Sequence, residues 1–236
     1  MTTANRPQQK GFTLVEVLIA LLVGGMVMTA VLTSFRGQHA TYLAQDQVVE
    51  MQQNLRVALD MLTREIRSAG YDPAGLGAGF ISADADELVF SRARDDDSGE
   101  LEFIRYRLYT AYSGTARARS ALGRTRVEAF EDFQDPSKAS NRSVAEYIEE
   151  LEFYYLLADG SRALVPDEPA DIRGVQISLL ARAANEDRSY TNNLLYFPAS
   201  NPTMDEEGFF WGPFNDNFRR HLLIQTIWLR NQGAGL

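Results

Sequence analysis

A run of apolar residues near the N-terminus constrains this chain more than any other feature. Residues 12–35 read FTLVEVLIALLVGGMVMTAVLTSF, and Arg36 ends the run. From Val17 to Leu32 the one polar side chain is Thr29. A helix rising ~1.5 Å per residue needs about 20 apolar residues to cross a bilayer, so the run is long enough. The residues before it, MTTANRPQQKG, carry Arg6 and Lys10 and no acid. That flank predicts a cytoplasmic N-terminus, with everything after Arg36 on the outer side. A cleaved secretory signal is a poorer account, because its apolar region spans roughly 7–15 residues and ends at a small-residue cleavage site. Here the run is longer and no such site follows it.

One residue does not suit a plain anchor. Glu16 lies a turn inside the run, where an unpartnered carboxylate is costly. If the chain were cut between Gly11 and Phe12, the new α-amino group would carry a positive charge about one turn away. Such an amine, on this helix or a neighbouring one, neutralises the carboxylate in a low-dielectric layer. The segment Lys10-Gly11-Phe12-Thr13-Leu14-Val15-Glu16, leading directly into an apolar helix, resembles the class III signal of type IV pilins and pseudopilins. The resemblance implies a prepilin peptidase that cuts after Gly11 and N-methylates Phe12. It also implies that Glu16 pairs with the N-terminal amine of an adjacent subunit. The implied partners are that peptidase, other minor pilins and the major pilin through their N-terminal helices, and an inner-membrane assembly platform. An uncleaved anchor with an isolated Glu is the plainer alternative.

The helical pattern continues past the membrane. Val48, Met51, Leu55, Ala58 with Leu59, Leu62, Ile66 and Ala69 step by three and four, which marks one face of an amphipathic helix. Gly70 suits a C-terminal cap and Pro73 prevents continuation. A single helix over residues 12–69 is therefore expected, with Gly24-Gly25 either bending it or packing closely against another helix. Beyond Gly70 the pattern turns strand-like. Strands are expected at Glu87–Ala93 and Leu101–Tyr109, joined by a polar turn at residues 95–99, then at Arg124–Phe130, Tyr147–Leu157, Ile172–Arg182 and His221–Arg230. A long stretch rich in Asn, Pro, Gly and aromatics fills residues 185–220. Its Phe209-Phe210-Trp211-Gly212-Pro213-Phe214 segment is expected either to cover the core or to face a partner.

These elements give an α+β expectation: a long N-terminal helix packed against a mainly antiparallel sheet. The chain divides into a cleaved cytoplasmic leader (1–11), a transmembrane or fibre-core helix (12–35), its amphipathic continuation (36–70) and a periplasmic β-rich domain (71–236). Residues 62–71 and the last strand, Arg219 to Asn231, are similar to PilW-type minor pilins. Residues 149–155 and 172–179 resemble J-type pseudopilins of type II secretion. The implied function is a minor pilin or pseudopilin that starts or caps a fibre, held in the inner membrane until it enters one. The alternative is a membrane-anchored periplasmic binding module or enzyme.

Composition narrows the chemistry. With no cysteine in 236 residues, disulfides, thiolate metal sites and cysteine nucleophiles are all removed, and so is the disulfide-bounded loop of many pilins. Lys and Arg total 23 against 32 Asp and Glu, a net charge of −9. Without residues 1–11, which hold two of the basic residues and no acid, the remainder carries 21 against 32, or −11. That balance argues against nucleic acid as a partner. His39 and His221 are far apart, no serine-hydrolase or zinc-protease motif occurs, and Gly75-Leu76-Gly77-Ala78-Gly79 lacks the third glycine of a dinucleotide loop. The expectation is a protein that is not an enzyme and needs no cofactor. Two clusters are weaker candidates. Asp95, Asp96, Asp97 and Glu100 could hold Ca²⁺, although an exposed turn explains them as well. Arg117, Arg119, Arg124 and Arg126 alternate as if on one strand face, where they could touch DNA or, preferably, an acidic partner pilin.

Overall fold

The computed structural model describes residues 12–94 and 99–231. It divides at Asp46 and Gln47 into two units. One helix, α1, runs from Leu14 to Ser68 without a break at Gly24-Gly25. Within the second unit it buries Met51, Leu55, Ala58, Leu59, Leu62 and Ile66, the face its sequence marks, and Ala69 just past its end is buried with them. Val48 is only half-buried. Full burial of a Leu or Ile contributes about 2 kcal/mol, so this stripe, rather than helix propensity, holds the second half of the helix in place. Gly70 closes the helix with φ 72°, and its N–H donates to the Ser91 carbonyl at 3.0 Å. A left-handed residue there costs glycine nothing.

The β-rich part forms two sheets rather than the single one expected. The strands are β1 (Phe80–Ala83), β2 (Glu87–Ala93), β3 (Leu101–Ala111), β4 (Arg119–Val127), β5 (Arg142–Glu146), β6 (Ile148–Leu157), β7 (Arg162–Ala163), β8 (Ile172–Arg182) and β9 (Arg220–Trp228). Sheet A has the order β1-β2-β3-β4-β5 and sheet B the order β7-β6-β8-β9, with every pairing antiparallel. Their inner faces meet α1 in one core, where Phe90, Ile104, Tyr106, Leu122, Phe153, Tyr155, Val175, Ile177 and Ile227 are buried with the helix stripe. The sheets are coupled at Tyr147. Its N–H donates to Ser120 of β4, while its carbonyl accepts from Arg182 of β8, both at 2.8 Å.

The third expected strand needs correction. It runs over Arg119–Val127 and not Arg124–Phe130, because β4 pairs with β3 from the Phe103–Val127 rung back to the Ala111–Arg119 rung. Ala129 and Phe130 instead enter a 3-10 turn at Phe130–Gln134, which sets Phe133 against Val89 and Val127 on the outer face of sheet A. A second 3-10 turn, Pro169–Asp171, precedes β8.

Candidate functional site

Thr13 stands just before the first helical residue and takes the N-cap position. The Glu16 backbone N–H donates to Thr13 Oγ1 at 3.3 Å, and the Thr13 backbone N–H donates to Glu16 Oε2 at 3.1 Å. The Thr13 hydroxyl donates to the same oxygen at 3.2 Å. This is a capping box, in which Thr-x-x-Glu satisfies two helix-start donors reciprocally. A carboxylate here also faces the positive end of the helix dipole. Only Oε2 is engaged; among the described residues Oε1 accepts no hydrogen bond. Glu16 thus has a local role as a helix cap, and keeps one oxygen open for a second donor.

The rest of the apolar segment is consistent with a lipid or helix-packed setting. Phe12, Glu16, Val17, Ala20 and Leu21 line a shallow concavity on the helix. Leu18, Leu22, Met26, Val31 and Phe35 are all exposed. The hydroxyls of Thr29 and Thr33 donate to the carbonyls of Gly25 and Thr29, each at 2.8 Å. Polar side chains that satisfy themselves on their own helix are what a bilayer demands. α1 is long and apolar enough to cross a membrane.

Several expected site residues fall elsewhere. Gly11 and Asp95, Asp96 and Asp97 lie outside the described residues, and Glu100 accepts a hydrogen bond from Arg94 at 3.1 Å. No group of three or more His, Cys, Asp or Glu able to hold a metal occurs among the described residues. The four arginines do not form one free face, and that reading is corrected. Arg117 is exposed in the turn before β4. Arg119 points to the opposite side from Arg124, pairs with Glu146 at 2.7 Å and lies 4.8 Å over the Tyr112 ring. Arg126 pairs with buried Glu102 at 2.6 Å. Arg124 faces the core, where its Nε meets Glu65 of α1 at 2.8 Å and Tyr106 donates its hydroxyl to Glu65 at 2.6 Å. Even numbers on β4 face the helix and odd numbers face outward, so alternation across 119, 124 and 126 splits the set.

Residues 183–219 are a packed excursion across the outer face of sheet B. Tyr196 and Trp211 exchange backbone hydrogen bonds at 2.9 Å and are buried with Leu180, beside Phe214 and Leu222. Of the aromatic segment, Trp211 covers the sheet while Phe209 is exposed. Burial on both faces explains why β8 is almost continuously apolar at Ile177-Ser178-Leu179-Leu180-Ala181. Polar anchors fix the excursion. Buried Glu152 accepts from the Ser200 N–H at 3.1 Å and the Ser200 hydroxyl at 2.5 Å. Arg220 pairs with Glu149 at 2.5 Å and Asp216 at 2.6 Å, its guanidinium 3.8 Å over the Phe214 ring. Arg219 pairs with Asp187 at 2.8 Å.

Hydrogen bonding from Arg220 holds Asp216 below the usual carboxylate range, and Ser189 followed by Arg219 does the same for Asp187. Groups with depressed folded-state values contribute stability above their unfolded value of about 4, and it is lost as pH falls through the folded values. The excursion is therefore expected to loosen below about pH 4 before the core does. In a Trp228→Phe background, Trp211 emission should shift red ahead of the far-UV transition. Coincident transitions would refute this.

Residues 6–32 match the family model described as the prokaryotic N-terminal methylation motif. No curated protein matches the chain. The motif, α1 and the two antiparallel sheets indicate a type IV pilin-like or pseudopilin-like protein, of the kind processed by a prepilin peptidase. A methylation-type signal opening into one N-terminal apolar helix fits single-pass membrane anchoring.

Proposed function

We propose that this chain is a minor pilin or pseudopilin subunit, with the PilW-type minor pilins its nearer counterpart and the J-type pseudopilins the next. Prepilin peptidase cuts after Gly11 and methylates Phe12. The mature chain waits in the inner membrane with its N-terminus cytoplasmic and its β-rich domain periplasmic, then enters a fibre. It acts by assembly, not by catalysis, and needs no cofactor. Its apolar helix packs among the helices of other minor pilins and the major pilin on an assembly platform. Its domain takes part in starting or capping the fibre.

One observation carries this reading. The methylation motif leads directly into a helix whose N3 carboxylate, Glu16, caps the helix with one oxygen and leaves the other open. After cleavage the nearest new donor is an α-amine, and a cation there satisfies a carboxylate that lipid would otherwise penalise. Mass spectrometry of the membrane-extracted protein tests it. A chain beginning at methylated Phe12 is expected; one that still begins at Met1 beside an active peptidase overturns the proposal.

A further inference from the structure

Arg124 of β4 and Arg142 of β5 stand directly opposite each other. Like charges so placed repel and weaken a sheet unless each is neutralised. Glu65 neutralises Arg124. Arg142 is exposed and, among the described residues, its side chain has neither an ion pair nor a hydrogen bond. Around it, Arg126 keeps half its side chain in solvent while holding Glu102, and Lys138 does the same while holding Asp132 at 2.6 Å. These four cations, with Ser140, Val127 and Glu128, line a cleft of about 250 Å³. Glu65 is paired with Arg124, Glu102 with Arg126 and Arg92, Asp132 with Lys138, and Glu128 with Arg94, while Glu131 and Asp135 add their charge at Lys138 rather than at Arg142. One guanidinium is left over, in a chain whose net charge is −9.

We propose that this cleft takes a carboxylate side chain of an extended acidic peptide that lies along the edge of β5. The cleft is sized for one anionic group with its water, and a guanidinium fork matches a carboxylate with two parallel hydrogen bonds. β5 is the last strand of sheet A, so its outer edge is open to main-chain pairing. A peptide can use both features. Nucleic acid cannot use the second, and its other phosphates would meet an acidic surface. The inference does not depend on fibre entry.

The test uses the full chain in detergent micelles and fluorescence anisotropy of a labelled hexapeptide that alternates Glu and Val. Binding should weaken with salt and vanish when Gln replaces Glu in the peptide. Arg142→Glu should weaken it about tenfold or more, since a charge-assisted pair is lost. This variant breaks no side-chain ion pair or hydrogen bond among the described residues, and its new carboxylate would face Arg124. Arg188→Glu, an exposed control on the long excursion, should stay within about twofold. No binding, binding indifferent to Arg142, or equal binding of the Gln peptide overturns the proposal. Tighter, Arg142-dependent binding of labelled oligodeoxythymidine would overturn it in favour of nucleic acid.

Discussion

Glu16→Gln is expected to leave the start of α1 intact and to abolish entry into fibres, whereas Glu16→Ala should damage both. The distinction comes from the capping box. Gln keeps an oxygen that can accept the Thr13 N–H, and Thr13 Oγ1 still accepts the N–H of residue 16. What Gln removes is the negative charge. If that charge meets a neighbour's amine inside a helix-packed or lipid layer, leaving the amine unpaired costs about 3 kcal/mol or more, which is over a hundredfold in occupancy. The lost cap in Glu16→Ala adds only about 1 kcal/mol. The measurement is the fraction of tagged protein in sheared fibres relative to membranes, with helix content of the purified variants followed by circular dichroism. Normal incorporation of the Gln variant alongside failure of the Ala variant would mean that the cap carries the effect, and the amine-pairing account would fail.

Much of this site is legible in the amino-acid sequence. The length of the apolar run, its basic flank and the lone Glu16 each state a local requirement that needs no tertiary contact. Thr13 is legible too, since Thr-x-x-Glu is a helix-start signature, but the membrane cost of Glu16 is the louder signal and masks its simpler role as a cap. The amphipathic stripe from Met51 to Ala69 is readable because burial on one face imposes a period on its residues, and β2 and β8 because burial on both faces leaves short, largely apolar runs. Strand β5 is not, because an edge strand with Ala145 its one fully buried residue shows no alternation. The pairing of Arg124 with Glu65 joins residues 59 positions apart, and no local spacing announces that. The same limit hides the Arg142 cleft, whose members come from β4, β5 and the segment between them.

Arg124→Met is expected to be the most damaging single change in the β-rich domain, at about 3 kcal/mol. Glu65 and Arg124 each keep only 13% of their side-chain surface in solvent, and Tyr106 is fully buried beside them. Desolvation, reinforced by the charge of Glu65, pushes the Tyr106 hydroxyl far above its ordinary range, so it remains a donor to Glu65. Removing Arg124 leaves that carboxylate nearly dry with one neutral hydrogen bond. Tyr106→Phe should cost less, about 1 kcal/mol, because Glu65 keeps its cation. The double variant Glu65→Leu/Arg124→Met should recover most of the loss, since a desolvated pair replaced by apolar groups of similar size is often neutral or stabilising. Urea unfolding in detergent, followed by near-UV circular dichroism, gives the four values of the cycle. If the double variant is as unstable as Arg124→Met alone, an unpaired carboxylate is not the cause, and lost packing of the arginine stem takes its place. If the cycle closes as expected, this ion pair does little for net stability. What it supplies is position, because Glu65 belongs to the last turn but one of α1 and can be satisfied in this way at a single register against β3 and β4.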